Sequence, residues 1–317
     1  MRSEFQFIND IKKRFLLGRI GDDCAVIPKD DASDLLITAD LLIESVDFRL
    51  QWATPEQIGY KALAVSLSDV AAMGGTPTFA LLSIGVPQEL WNSGFPDGFY
   101  EGWHALASKF EVGMIGGDTS KSPDKLVIDS IVLGEVPSGY AILRSGAQPG
   151  DGIYVSGSLG GASGGLKLLE SGTSPAGSTG SEAKLIERQL RPFPQVALGK
   201  QLRELGIVSS MIDVSDGLSS DLNRICEASG VGAVLDAASM PIDPDLDGLM
   251  PFDRAFDAAI NGGEDFELLF TCAASNAPKL VNFHVTRIGT VSSTSGKLEI
   301  ILDGKTEPLT AEGFQHF

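Results

Sequence analysis

Histidine and cysteine are scarce here, three of each in 317 residues. Cys24, Cys226 and Cys272 lie far apart with no Cys-x-x-Cys pair, and His104, His284 and His316 are isolated. Nothing in that pattern supports zinc. An odd, sparse set of thiols fits a reducing compartment, so the expected location is cytoplasmic. Positive charge is short as well: 24 Lys and Arg stand against 42 Asp and Glu, for a net charge of −18. A chain this acidic repels nucleic acid and anionic membranes, and neither is expected as a partner. Long apolar runs are missing, so no bilayer span is expected. Phe7, Ile8, Ile11 and Phe15 fall at helical spacing among charges, which predicts an amphipathic helix rather than a signal peptide. There is no G-x-G-x-x-G. Gly304-Lys305-Thr306 has the form of a P-loop end, but Glu299 stands where that loop needs its first glycine. Leu302-Asp303 before it makes a hairpin turn the better reading.

What the chain does have is centred on Lys61 to Gly75, K-A-L-A-V-S-L-S-D-V-A-A-M-G-G. Its apolar residues cover nearly every face, as in a buried helix. One carboxylate, Asp69, sits inside it. A buried carboxylate is normally neutralised, paired or bound to metal. The nearest cation in the segment, Lys61, is two turns back. Asp69 is therefore either a polar helix-end residue near Gly74-Gly75 or a group aimed at a cation.

Around this helix the pattern alternates. Short strands are expected at 34–40, 78–86, 125–136, 152–156, 208–214, 266–272, 286–291 and 298–302, and helices at 94–110, 195–205 and 218–229. The class is α/β or α+β. Turn-rich Ser145 to Gly150 places a boundary mid-chain, giving domains 1–147 and 148–317. Ser171 to Ser181 reads as a mobile loop. Acids recur at the ends of apolar strands: Asp23, Asp40, Asp118, Asp213 and Asp216. They would repel one another unless a hard cation such as Mg²⁺ lay between them. Gly116-Gly117-Asp118-Thr119 and Gly262-Gly263-Glu264-Asp265 are each a tight turn or a backbone cradle for phosphate. Gly157 to Gly165 is either an anion site at a helix N-terminus or a hinge. Arg144 is a candidate phosphate clamp.

In order along the chain stand I-G-D-D-C-A (20–25), T-A-D (38–40), Y-K-A-L-A-V-S-L-S-D-V-A-A-M-G (60–74), I-G-G-D-T-S (115–120), I-D-V-S-D-G-L (212–218) and G-G-E-D-F-E-L (262–268). Together they resemble the thiamine-monophosphate kinase family, within the aminoimidazole ribonucleotide synthetase-like ATP-binding superfamily. The resemblance spans nearly the whole chain. It implies an ATP-dependent kinase that phosphorylates thiamine monophosphate to thiamine diphosphate by direct transfer, with several Mg²⁺ ions and no side-chain general base. It implies Asp23, Thr38, Ala39, Asp40, Asp69, Asp118, Asp213 and Asp216 at metal, Ala39 through its backbone. It implies Gly117, Asp118, Arg144 and Ser215 at ATP, and Asp47 and Glu264 at substrate. Asp47 stands where some relatives carry His. The family can set an aromatic near its C-terminus against the thiamine; the aligned place here is near Ala311, with Phe314 the candidate substitute. The resemblance further implies a homodimer in which N-terminal mixed sheets join into a barrel with ATP near its edge, and a C-terminal α/β sandwich. An ATP-dependent ligase or cyclase of the aminoimidazole ribonucleotide synthetase type has the same metal logic and stands as the alternative. A nucleotide-binding regulator without turnover is a third reading, which the complete set of acids argues against.

Overall fold

The structure is a computed structural model and describes residues 4–316. In chain order the elements are α1 (Glu4–Phe15), β1 (Ala25–Pro28), β2 (Ser33–Ile43), α2 (Pro55–Ala72), β3 (Thr76–Pro87), α3 (Gln88–Trp91), α4 (Phe95–Lys109), β4 (Gly113–Ser122), β5 (Val127–Pro137), β6 (Gly152–Ser156), α5 (Gly161–Glu170), α6 (Gly180–Leu190), α7 (Val196–Leu205), β7 (Val208–Asp213), α8 (Leu218–Ser229), β8 (Gly232–Asp236), α9 (Phe252–Asn261), β9 (Leu268–Cys272), β10 (Val285–Ser292), β11 (Leu298–Leu302) and β12 (Lys305–Pro308). Two mixed sheets carry the strands, in the orders β1-β2-β5-β3-β4 and β12-β11-β8-β10-β6-β9-β7.

Helix α2 is the pivot between them. Thr54 caps it, accepting from the Gln57 N–H while the Gln57 side chain accepts from the Thr54 N–H, and Pro55 opens the first turn. Fourteen of its 18 residues are buried. One side lies on β2, β3 and β5, where Leu36, Leu42, Leu82, Ile84, Ile128 and Val132 point inward. Another lies against α4 so closely that a Cβ on Gly102 would fall 1.8 Å from the Glu56 carbonyl. A third meets α7 and β7. A single apolar core thus runs from the first sheet through α2 to Met211 and Phe270 of the second sheet. The other face of the second sheet packs Ile153, Ile212 and Leu269 against Leu222 and Ile225 of α8. That sheet has helices on both faces, and the fold is two-domain α/β.

Several strands differ from their expected limits. β2 does not end at Asp40 but runs on to Ile43, because Leu42 still faces the core and Asp40 only borders it. Gly116-Gly117-Asp118 is not a turn; it lies inside β4, paired with Leu81, Leu82 and Ser83 of β3. There Gly117, at φ +149, leaves no room for a Cβ against the Leu82 carbonyl. The segment expected to be an irregular loop holds a short 3₁₀ turn at Pro175–Gly177, and α6 begins inside it at Gly180. The Asp303-Gly304 turn joins β11 to β12 as a two-residue hairpin, both residues at positive φ.

Candidate active site

Four motifs converge where α2 passes between the sheets. Asp23 comes from the loop before β1, Asp69 from the last turn of α2 and Asp213 from the end of β7. Among the described residues these three carboxylates form a group whose oxygens lie within 4.8 Å of one another. The glycine-flanked pair Asp22-Asp23 is pinned from across the chain: the Arg144 N–H donates to Asp22 Oδ1 at 2.8 Å, and Arg144 Nη2 donates to Asp23 Oδ1 at 2.5 Å. Asp23 Oδ2 is buried with no hydrogen-bond partner. Asp69 is not bonded at its own helix end; its Oδ2 accepts from Thr38 of β2. Ser66 donates to Asp40 Oδ2 and Ser68 to Asp213 Oδ2, both at 2.6 Å.

One guanidinium does not balance this many acids. Burial pushes Asp69 well above the usual carboxylate range, and neighbouring Asp40, Asp213 and Asp23 push it further against the Thr38 hydroxyl. Burial and then Asp23 do the same to Asp213. Asp40 is pushed up to about 6, chiefly by burial, with Asp129 and Asp23 adding to it. Asp23 is raised by burial although Arg144 opposes it.

Beside the cluster opens a cavity of about 310 Å³. Asp40, Asp47, Asp216 and Glu264 supply its acids, Lys61 and Arg49 its cations, and Trp52, Phe48, Phe266 and Phe314 its aromatic surface. Asp47 is held by the Ile43 N–H at 2.7 Å. Ser215 lines the same cavity, and its carbonyl accepts from the Glu264 N–H at 2.8 Å.

Not every expected residue joins. Thr38 reaches the cluster through its hydroxyl, and Ala39 is exposed on the opposite side of β2. Asp216 pairs with Arg224 of α8. Asp118 is exposed on edge strand β4, in the row with Ser83 and Asp129 that faces away from α2. Two turns of the second domain, Ser215-Asp216-Gly217 and the glycine-rich Gly157 to Gly165, are filled from within. Asp221 Oδ2 accepts from the N–H groups of Ser215, Asp216 and Gly217, each at 3.1 Å. Asp265 accepts from Gly160 at 2.6 Å and Ala162 at 3.1 Å, so the anion at the N-terminus of α5 is the protein's own. Burial pushes Asp221 and Asp265 each up to about 7 against those donors.

The sequence matches the family models of the AIR synthase related protein, N-terminal domain over residues 21–136 and C-terminal domain over 148–301. It is 38% identical to the thiamine-monophosphate kinase of Bacillus subtilis (strain 168), over 99% of each chain. The chain belongs to the thiamine-monophosphate kinase family. The Escherichia coli (strain K12) member is 37% identical over 94% of this chain and 91% of its own. The structure of AaThiL complexed with AMPPCP and TMP is similar with a TM-score of 0.88 and 33% identity, covering 99% of this chain and 97% of that one. Residues that sequence reasoning passed over include Ser66 and Ser68, which orient the acids, and Lys61, Trp52 and Gln189 on the cavity wall. Ser66 and Ser68 stand three and one residues before Asp69 in an otherwise apolar run, a signal that was there to be used.

Proposed function

We propose that this protein transfers the γ-phosphoryl group of ATP to thiamine monophosphate, giving thiamine diphosphate and ADP. The observation that carries the reading is the juxtaposition of under-balanced carboxylates with a cavity whose wall is both aromatic and acidic. The donor set fits Mg²⁺: oxygen ligands only, three of them converging, one buried oxygen without a partner. Asp23, Asp69 and Asp213 would hold the ion, with Asp40 and Thr38 beside them. The family motifs add Asp118, Asp216 and the Ala39 carbonyl to the metal set, and these lie outside the three-acid group. Bound there, Mg²⁺ would supply charge neutralisation for phosphate oxygens.

The chain's own residues do the rest. The substrate phosphate is already ionised, so no side chain needs to act as a strong base. Binding has to orient two anionic molecules and keep them in line. Arg144, with Gly117, Asp118 and Ser215, is the ATP-facing set. Asp47 and Glu264 face the acceptor and suit the positive charge of its thiazolium ring. Trp52 and Phe314 offer it aromatic surface.

We divide the chain at 147/148, since the first sheet ends with β5 at Pro137 and the second begins with β6 at Gly152. A homodimer is supported by the outward face of the first sheet. Leu41 and Phe79 are 58% and 45% exposed there, and β4, an edge strand with one side unpaired, leaves Met114 and Ile115 42% and 56% exposed. Gly117 and Asp118 lie on that edge, so ATP would sit near the barrel rim. No helix of the described residues is long and apolar enough to cross a membrane; with the sparse thiols, this supports a cytoplasmic enzyme. Incubation with Mg-ATP and thiamine monophosphate, with products resolved by mass, tests the reading. Thiamine diphosphate with ADP is expected; ADP with a cyclised or ligated product, or no turnover, contradicts it.

A further inference from the structure

Lys61 interrupts the apolar run of α2, and its side chain is only 4% exposed. Its ammonium lies on the cavity wall. Nζ is 2.7 Å from Glu264 Oε1 and donates to the Asp47 carbonyl at 3.3 Å. The two residues assigned to the acceptor substrate arrive from different domains, and this one cation touches both. Gln189 of α6 closes the arrangement by donating its amide N–H to Glu264 Oε2. A carboxylate can only accept, so both its oxygens are now held in place. Glu264 itself stands at φ +66, a conformation costly for a residue with a side chain.

The charge pattern gives this clamp a purpose. Asp40, Asp47, Asp216 and Glu264 line a cavity that must admit a phosphate ester. Arg49, the other cation of the wall, is exposed, with its guanidinium 4.4 Å over the Trp52 ring. Lys61 is the buried one. A buried ion pair is poor evidence of stabilisation, because desolvation cancels most of its attraction. Here the pair stands in a cavity wall, with the Glu264 side chain 28% exposed.

We propose that Lys61 is a positioning residue for the acceptor substrate: it fixes Glu264 against Asp47 across the domain junction and offsets the charge that would repel the substrate's phosphate. This rests on the assignment of the cavity to thiamine monophosphate. Lys61→Met keeps the aliphatic stem and removes the charge. Its KM for thiamine monophosphate should rise about tenfold or more, as for loss of one partner of a buried charge pair, with the KM for ATP held within about twofold. In a Glu264→Gln background the same substitution should add much less, because the charge to be offset is gone. Parallel rises in both KM values, a fall in kcat with KM unchanged, or effects that multiply in full would each overturn the proposal. If circular dichroism shows Lys61→Met unfolded, Lys61→Gln is measured in its place with the same expected outcome. Wild-type protein that makes no thiamine diphosphate sinks the cavity assignment, and this inference with it. Turnover by wild type with an unchanged KM in the variant sinks the inference alone.

Discussion

Among the described residues, two of the groups of buried acids are held differently. In the second domain Asp243, Asp265 and Glu267 surround Arg188, at 3.0, 3.6 and 3.7 Å. Asp265 also takes two backbone N–H groups, and Glu267 takes Ser156 at 2.5 Å and Gln195 at 3.0 Å. That group is provided for from within. At the junction Asp23, Asp69 and Asp213 share Arg144 and two hydroxyls, and one oxygen is left over. Burial is comparable; the supply of donors is not. Acids whose partners are internal hold a loop in shape. Acids whose partner is missing are built for something that arrives from outside.

If the first group is structural, removing its cation should strike folding. Arg188→Met is expected to cost about 3 kcal/mol of stability, the lower end for a broken buried pair, since the arginine is partly exposed. Urea denaturation measures it, and an unchanged midpoint would erase the contrast between the two groups. If the second group is functional, the matching cut should strike turnover instead. Asp69→Asn keeps shape and supplies one neutral oxygen. Its kcat should fall about a hundredfold, with the circular dichroism spectrum retained and little restored by excess magnesium. Near-normal kcat would return Asp69 to the role of a polar helix end.

A smaller effect separates the cavity from the cluster. Trp52→Leu should raise the KM for thiamine monophosphate about fivefold, the scale of one exposed cation–π contact, and leave the magnesium dependence of kcat alone. Initial-rate kinetics at two magnesium concentrations would show whether the wall and the acids act separately.

Much of this contrast could be read from the chain, though unevenly. Asp69 announced itself because a carboxylate in an all-apolar helix must have a reason. Asp23, Asp40 and Asp213 were visible as acids beside glycine or at strand borders. Which acids need an external partner was not visible, because that depends on donors distant in sequence. Arg144 meets Asp23 across 121 positions, and Ser68 meets Asp213 across 145. Gly160 and Asp265 are 105 positions apart, so the glycine-rich turn looked like an open anion site when its anion was already in the chain. The backbone at Gly116-Gly117-Asp118 departs from the expected turn for a different reason: two glycines before an acid signal a turn, but strand pairing along β3 overrides that signal. Lys61 stands in the sequence only as a cation too far from Asp69 to pair with it; its partner Glu264 is distant in the chain and comes from the other domain.

The imbalance of charge at the junction can be read from stability alone. Folded-state values for Asp69 and Asp213 lie above 3.8 and that for Asp40 is about 6, so these groups bind protons more tightly folded than unfolded. Their contribution is favourable at low pH and is lost as pH rises through the folded values. The decisive measurement is the melting temperature of wild type and Asp69→Asn at pH 5.5 and 7.5, each with and without magnesium. Metal-free wild type is expected to melt higher at pH 5.5 than at 7.5, a trend to which Asp221 and Asp265 also contribute. Magnesium should raise its melting temperature at pH 7.5, less so at pH 5.5, and hardly at all in Asp69→Asn. A magnesium increment that is absent from wild type, or equal in the variant, would contradict that imbalance.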